Sequence, residues 1–154
     1  MDRLIDRKWA PAIERGFGLI PKALRDRINP HFLVGVDPLF AGLHDFVDAS
    51  YGRSYRDTCH CAYPWHQTPL AKSQRHTTVV LNGEPDVDTV VHELGHVVHE
   101  SLGFDHRAVP LSGYAQTNHH EAFAVAFTAW LIPDHWSTVG IQDKTTNDFL
   151  GALL

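Results

Sequence analysis

The segment His92-Glu93-Leu94-Gly95-His96 is an H-E-x-x-H sequence. If it is helical, its two histidines lie four positions apart on one face, with Cβ atoms about 6 Å apart. Both imidazoles can then reach one zinc ion, which binds histidine nitrogen at about 2 Å. Glu93 can accept a proton from a water that the ion activates, because zinc lowers the pKa of such a water to about 7. The motif therefore predicts one zinc ion per chain, held by His92 and His96, with Glu93 as general base.

A third protein ligand is needed, since catalytic zinc normally takes three and leaves one position open. Glu121 is the favoured candidate because it lies near the start of a second predicted helix that can run alongside the first. Asn118-x-x-Glu121 is also the spacing of a capping box, so Glu121 could instead cap that helix. His99 lies about 10 Å along the axis from His92, too far to share one ion without strain. Two further residues stay open as third ligands, Asp105 and His106.

Two helices must position these residues. The first is predicted from about Asp86 to Leu102, with acids in its first turn and Gly103 after its end. Its core-facing residues recur at helical spacing and are Val87, Val90, Val91, Leu94, Val97 and Val98. The second helix is predicted from Asn118 to Pro133. It is apolar nearly all round, which indicates that it is buried.

The rest of the chain predicts an α+β fold with few strands. Trp9 to Arg27 indicates a helical region that is interrupted at Gly16-Phe17-Gly18, with Pro21 starting its second piece. The remaining predicted elements are strands at Phe32–Val36 and Thr77–Leu81, a helix at Leu39–Ala49 and a terminal helix near Asn147–Leu154. No linker divides the chain, so we expect one domain over residues 1–154, with a helical N-terminal region at 1–30.

Charge and composition narrow the classes of partner. Residues 1–77 contain 11 Lys and Arg against 8 Asp and Glu, whereas residues 78–154 contain 2 against 10. An acidic half argues against nucleic acid as a partner. No apolar run is long enough to span a bilayer, and the charged N-terminus does not have the pattern of a signal peptide. We therefore expect a cytoplasmic protein, or one exported by a non-classical route, that acts on a peptide or protein substrate.

The sequence resembles a family of zinc peptidases in its C-terminal half. Downstream of the H-E-x-x-H motif stands Tyr114-Ala-Gln-Thr-Asn-His-His-Glu121-Ala-Phe-Ala. The two segments together resemble the anthrax lethal factor-like zinc metallopeptidases, which include the bacterial Pro-Pro endopeptidases. The resemblance covers about residues 78–130. It implies a zincin-like endopeptidase in which His92, His96 and Glu121 bind zinc, Glu93 is the base and Tyr114 assists at the transition state.

The resemblance also implies a place for substrate. The strand at 77–81 would be an edge strand along which a peptide lies, with main-chain pairing supplying affinity. A plain core strand is the alternative interpretation.

One position departs from the family pattern. Members usually have an acid four residues after the third ligand, and Val125 stands there. Orientation of the ligands would then depend on another group, for which Asn118, His119 and His120 are candidates. This departure favours the alternative of a zinc-binding but slow or inactive module with a structural role. A weaker resemblance, through H-E-L-G-H-x-x-H and a later Glu-Ala, is to the ImmA/IrrE peptidases that act on repressors.

A second cluster of potential ligands is Cys59-His60-Cys61, with His66 nearby. Both sulfurs share one face if the segment is extended, but closed zinc sites usually use wider cysteine spacings. We therefore expect the cysteines to pack as small hydrophobic residues. Core positions are expected for three tryptophans, Trp65, Trp130 and Trp136.

Overall fold

The computed structural model of the protein describes residues 3–4, 10–28, 30–34, 60–63, 78–81, 86–135 and 138–154. Within these ranges the helices are α1 (Ala10–Leu19), α2 (Lys22–Arg25), α3 (Val87–Ser101), α4 (His119–Leu131) and α5 (Lys144–Gly151). The strands are β1 (Arg3–Leu4), β2 (His31–Val34), β3 (His60–Tyr63) and β4 (Thr78–Leu81). A 3-10 turn, Tyr114–Gln116, lies just before α4.

The four strands pair in the order β1-β2-β4-β3. β2 is parallel to β1 and to β4, with Phe32 opposite Val79. β3 is antiparallel to β4, with Cys61 opposite Val80. Because β4 is paired along both sides, the expectation that it is an edge strand open to a substrate peptide is wrong.

The prediction of an α+β fold is also wrong, because the described part of the chain is mainly helical. The strands are only two to four residues long. Among the side chains that the structure describes, they contribute one residue, Val79, to the buried core. Almost all of that core comes from the helices and the turns beside them, because their apolar faces are long enough to pack on one another.

Helix α1 does not break at Gly16-Phe17-Gly18, as predicted, but continues to Leu19. A Cβ on Gly16 would lie 2.6 Å from Cγ1 of Val90 in α3. Gly16 therefore permits the close approach of α1 and α3, at a helix-propensity cost of about 1 kcal/mol relative to alanine. The second piece, α2, begins directly after Pro21, as the sequence predicts.

Both ends of α3 are capped by local hydrogen bonds. At its start, Oδ1 of Asp86 accepts a hydrogen bond from the backbone N–H of Thr89 at 2.7 Å. At its end, the N–H of Gly103 donates to the carbonyl of Glu100, and the N–H of Phe104 donates to that of His99. These two bonds form a Schellman motif, which uses the left-handed conformation of Gly103 (φ 70°). Phe104 is left-handed as well, at φ 58°.

The predicted core faces of the two long helices are confirmed. In α3, Val90, Val91, Leu94, Val97 and Val98 are buried, and Val87 is partly buried. In α4, every residue from 122 to 129 is buried. These two helices pack along one another and carry the motif histidines and Glu121 side by side.

Helix α5 begins at Lys144, three residues before the predicted start, because Asp143 caps it by accepting from the N–H of Thr146. The predicted helix at Leu39–Ala49 lies outside the described residues. Within the described ranges, no helix combines the length and apolar character needed to cross a membrane.

Candidate metal centre

The structure brings His92, His96 and Glu121 together between α3 and α4. Nε2 of His92 donates to Oε2 of Glu121 at 3.1 Å, and Nε2 of His96 lies 3.3 Å from Oε1. The two imidazole rings are 5.1 Å apart at their centroids and nearly perpendicular. All three side chains are partly accessible to solvent.

The chemistry of this donor set fits zinc. Two imidazole nitrogens and one carboxylate oxygen are a common set of protein ligands for catalytic zinc. One ligand atom from each of the three residues lies within 4.8 Å of the others. In the part of the chain that the structure describes, this is the one group of histidine, cysteine and acidic side chains that could hold a metal ion.

The backbone and the side chain of Glu121 have different partners, which distinguishes its interpretation as a ligand from its interpretation as a helix cap. Oδ1 of Asn118 accepts from the backbone N–H of Glu121 at 2.9 Å, so Asn118 is the N-cap of α4. The carboxylate of Glu121 points instead to the two imidazoles. The Asn-x-x-Glu spacing thus marks the start of α4, while the glutamate carboxylate faces the two histidines with which it could share an ion.

The charges of this group favour an ionised carboxylate. Burial alone would raise the pKa of Glu121, but hydrogen bonds from His92 and His96 and their charges outweigh it and hold this pKa far below its ordinary value. Burial likewise opposes protonation of His96, yet its bond to Glu121 and the nearby charge of Glu93 raise its pKa overall. An ionised glutamate is the form that binds a divalent cation.

Glu93 lies next to this group and is only 5% exposed. Burial raises the pKa of its carboxyl, against the lowering effect of His92 and His96. Its Oε2 is buried and has no hydrogen-bond partner. A buried carboxylate oxygen without a partner carries a free-energy penalty and usually indicates a function or an unseen ligand. Glu93 therefore has an acceptor oxygen available beside the proposed metal position.

The other candidate third ligands lie outside this group. His99 is fully buried, and its Nε2 donates to the backbone carbonyl of His106 at 2.9 Å. Nε2 of His106 donates to the hydroxyl of Thr146 at 2.8 Å. Asp105 is exposed in the loop after α3. None of the three joins the group formed by the motif histidines and Glu121.

A cluster of aromatic rings around His99 was not predicted from the sequence. The His99 ring stacks on Phe123, with centroids 4.1 Å apart, and contacts the edges of Phe104, His119 and His120. Burial, aided by the charges of His119, His120 and His96, lowers the pKa of His99 to about 4. His99 is therefore neutral and structural. In the sequence, His99 could have been noticed by its seven-residue spacing from His92, which places the two on the same face of α3.

The groups proposed to replace the missing family acid have different positions. Val125 is buried in the apolar core. His119 and His120 belong to the ring cluster around His99. Oδ1 of Asn118 accepts from the backbone N–H of Glu121, so this hydrogen bond involves the backbone rather than the carboxylate. It therefore fixes the start of α4, from which Glu121 projects.

Tyr114, the proposed transition-state residue, lies in the 3-10 turn that precedes α4, and its side chain is outside the described set. The turn is anchored by Ala115, whose N–H donates to Oγ of Ser112 and whose side chain is buried. Its backbone thus lies close in sequence and space to the helix that carries Glu121.

A contact between the far ends of the two long helices was also missed. Nδ1 of His135, which follows α4, pairs with Oδ2 of Asp88 in the first turn of α3 at 2.5 Å. This pair connects the end of α4 to the start of α3, at the opposite end of the two helices from the ring cluster around His99. The acidic residue in the first turn of α3 was noted in the sequence, but its partner 47 positions away could not be deduced.

The segment Cys59-His60-Cys61, whose cysteines are expected to pack as small hydrophobic residues, is described only in part. His60 and Cys61 lie in β3, so this segment is extended. Cys59 and His66 fall outside the described residues, as do Trp65 and Trp136. Trp130 is partly buried against the core, as expected.

Comparison with known proteins adds no family. No family model matches the chain, and neither a curated protein nor a solved structure matches it. Support for a function of this protein therefore comes from the geometry of the site.

Proposed function

We propose that this protein is a zinc-dependent endopeptidase. The observation that carries the proposal is the convergence of His92, His96 and Glu121 beside Glu93, a buried carboxylate on the turn of α3 between the two histidines. Structural zinc sites are usually closed by four protein ligands, whereas a catalytic site keeps one position open. Among the described residues the group has three donors and is partly open to solvent, which supports the catalytic class.

Each residue of the site has a distinct part in the proposal. His92, His96 and Glu121 would hold the ion. Zinc, when bound, supplies a Lewis acid that polarises a peptide carbonyl and lowers the pKa of water. Glu93 accepts the proton from the attacking water and later returns it to the leaving amine. Tyr114 would donate a hydrogen bond to the oxyanion that develops on the substrate.

Two measurements, made one after the other, test the proposal. Elemental analysis of the protein purified without added metal should find about one zinc per chain. A mass-spectrometric digest of a peptide library, with chelator and with metal restored, should then give zinc-dependent cleavage. A folded protein that binds no zinc would contradict the proposal at its first step.

The role of Glu93 is tested by Glu93→Gln. The amide cannot accept the proton at working pH, so this variant should keep its zinc and lose cleavage. Glu100→Gln is the matched control, since it makes the same chemical change on the same helix, two turns away. It should cleave as the wild type does. Equal cleavage by both variants would show that Glu93 is not the base.

The second candidate is a zinc-binding module that is slow or inactive and serves a structural role. Val125 favours it, because the buried valine leaves the ligands without the carboxylate that the resembled family has at this position. Stoichiometric zinc without cleavage of any library peptide is the result that this candidate predicts. A repressor-cleaving peptidase of the ImmA/IrrE kind would instead cleave a narrow set of protein substrates.

A further inference from the structure

We infer that Gly95 is a positioning residue of the metal centre, because it sets the spacing between α3 and α4 and hence between the histidines and Glu121. This inference rests on the proposed zinc binding. Gly95 is buried and directly precedes His96 on α3. A Cβ built on it would lie 3.1 Å from Cα of Ala124 and 3.1 Å from Cδ1 of Phe127, both in α4.

The contact with Ala124 matters most because it is a backbone contact. A side chain can rotate away from a new methyl group, but a Cα atom moves only if its helix moves. Ala124 follows Glu121 by three residues, which is about 4.5 Å along the helix axis. A methyl group on Gly95 would therefore move the turn of α4 that carries the third ligand, by a few tenths of an ångström.

A displacement of that size is significant for a metal centre. Metal–ligand distances in zinc sites hold within about 0.2 Å. The glycine between the two histidines thus acts through Glu121 rather than by touching the metal. Residues that hydrogen-bond to metal ligands typically change metal affinity by about 10- to 100-fold when they are altered, and we expect a displacement of Glu121 to have an effect of that order.

Two other glycines serve as matched controls. Gly16 is crowded too, but by the side chain of Val90 at the contact between α1 and α3. Gly18, also in α1, has no atom within 4 Å of its ideal Cβ position. Gly16→Ala therefore tests helix crowding away from the ligands, and Gly18→Ala tests the substitution alone.

The experiment measures zinc affinity by competition with a chromophoric chelator, together with the visible absorption of the Co²⁺-loaded protein. Gly95→Ala should bind zinc about 10- to 100-fold more weakly and show an altered Co²⁺ spectrum. Gly16→Ala should unfold at a lower temperature in chelator but keep its affinity within threefold. Gly18→Ala should leave the affinity and the spectrum unchanged. If Gly95→Ala fails to fold, Phe127→Leu is added to relieve the ring contact and compared with Phe127→Leu alone.

The outcomes separate the inference from the proposed function. Wild-type affinity and an unaltered Co²⁺ spectrum in Gly95→Ala would overturn the positioning role while leaving the zinc site intact. An equal loss of affinity in Gly16→Ala would also overturn it, because general helix crowding would then be the cause. A wild-type protein that binds neither metal would overturn the proposed function and, with it, this role of Gly95.

Discussion

Replacing Glu121 by glutamine separates its proposed role as a metal ligand from its position at the start of α4. The backbone N–H of Glu121 bonds to Asn118 and its carboxylate bonds to the two imidazoles. Glu121→Gln keeps the backbone bond and the side-chain shape but removes the charge that a dication requires. Asn118→Ala is the matched control, because it removes the cap and keeps the carboxylate.

The expected magnitudes follow from linkage. At a zinc concentration of about 1,000 times the dissociation constant, binding stabilises the wild type by about 4 kcal/mol. For a chain of this length, 1 kcal/mol corresponds to about 2–4 °C in Tm, so zinc should raise the wild-type Tm by about 12 °C. If Glu121→Gln weakens binding by about 100-fold, the gain falls to about 1.4 kcal/mol, or about 4 °C. Asn118→Ala should lose about 1 kcal/mol both with zinc and with chelator.

Thermal melts of the three proteins, each with zinc and with chelator, decide the matter. The distinguishing quantity is the zinc-dependent shift in Tm, not the Tm itself. A shift in Glu121→Gln as large as in the wild type would refute Glu121 as ligand. It would move the third position to a residue outside the group that the structure brings together.

Three further predictions concern other parts of the molecule. Because burial lowers the pKa of His99 to about 4 while the unfolded chain titrates near 6.5, the unfolded state binds the proton first. The free energy of unfolding should therefore fall by up to about 3 kcal/mol as the pH drops from 6.5 to 4. Denaturant titrations in chelator should show a smaller loss in His99→Gln; an equal loss would exclude His99 as its source. Asp143 accepts from the N–H of Val109 and from the hydroxyl of Thr146, and these bonds outweigh burial and lower its pKa. Asp143→Ala should lower the free energy of unfolding by about 2 kcal/mol at neutral pH. The difference in free energy of unfolding from the wild type should shrink as the pH falls through the lowered pKa of Asp143. The control Asp148→Ala, at an exposed position of α5, should change the free energy of unfolding little. Equal losses in the two variants would contradict this role of Asp143. Tyr114→Phe should reduce turnover by about 10²- to 10³-fold with zinc content unchanged; loss of zinc in step with activity would make Tyr114 structural.

The long helices could be predicted because their signals are local. The valine spacing in α3 and the nearly continuous apolar run in α4 each require burial in a helix. The sequence also indicated Glu121, because it lies near the start of a second helix that can run alongside the first and because the family resemblance places a ligand there. The helix predictions needed no knowledge of which residues meet in space, whereas the choice of Glu121 assumed that the two helices lie side by side.

The errors arose where tertiary packing outweighs local preference. Gly16 and Gly18 predict a break, yet α1 continues because Gly16 fits against Val90. Helix α5 begins early because Asp143 caps it and bonds to Val109, 34 positions away. The α+β prediction was wrong because it took short apolar runs as the basis of a core. Strands of four residues add little to a core of packed helices. The stack of His99 on Phe123 likewise depends on a contact between helices.

The way that Glu121 is held has a consequence for the kinetics of metal exchange. Its backbone is fixed by Asn118, and its carboxylate is already held by His92 and His96 within packed helices. Uptake of zinc would then require no folding step, but it would require exchange of the imidazole–carboxylate hydrogen bonds and release of their protons. Because the pKa of His96 is raised, the rate of uptake should increase with pH as its imidazole loses its proton. Protein that a chelator has stripped of zinc should reload without passing through an unfolded state.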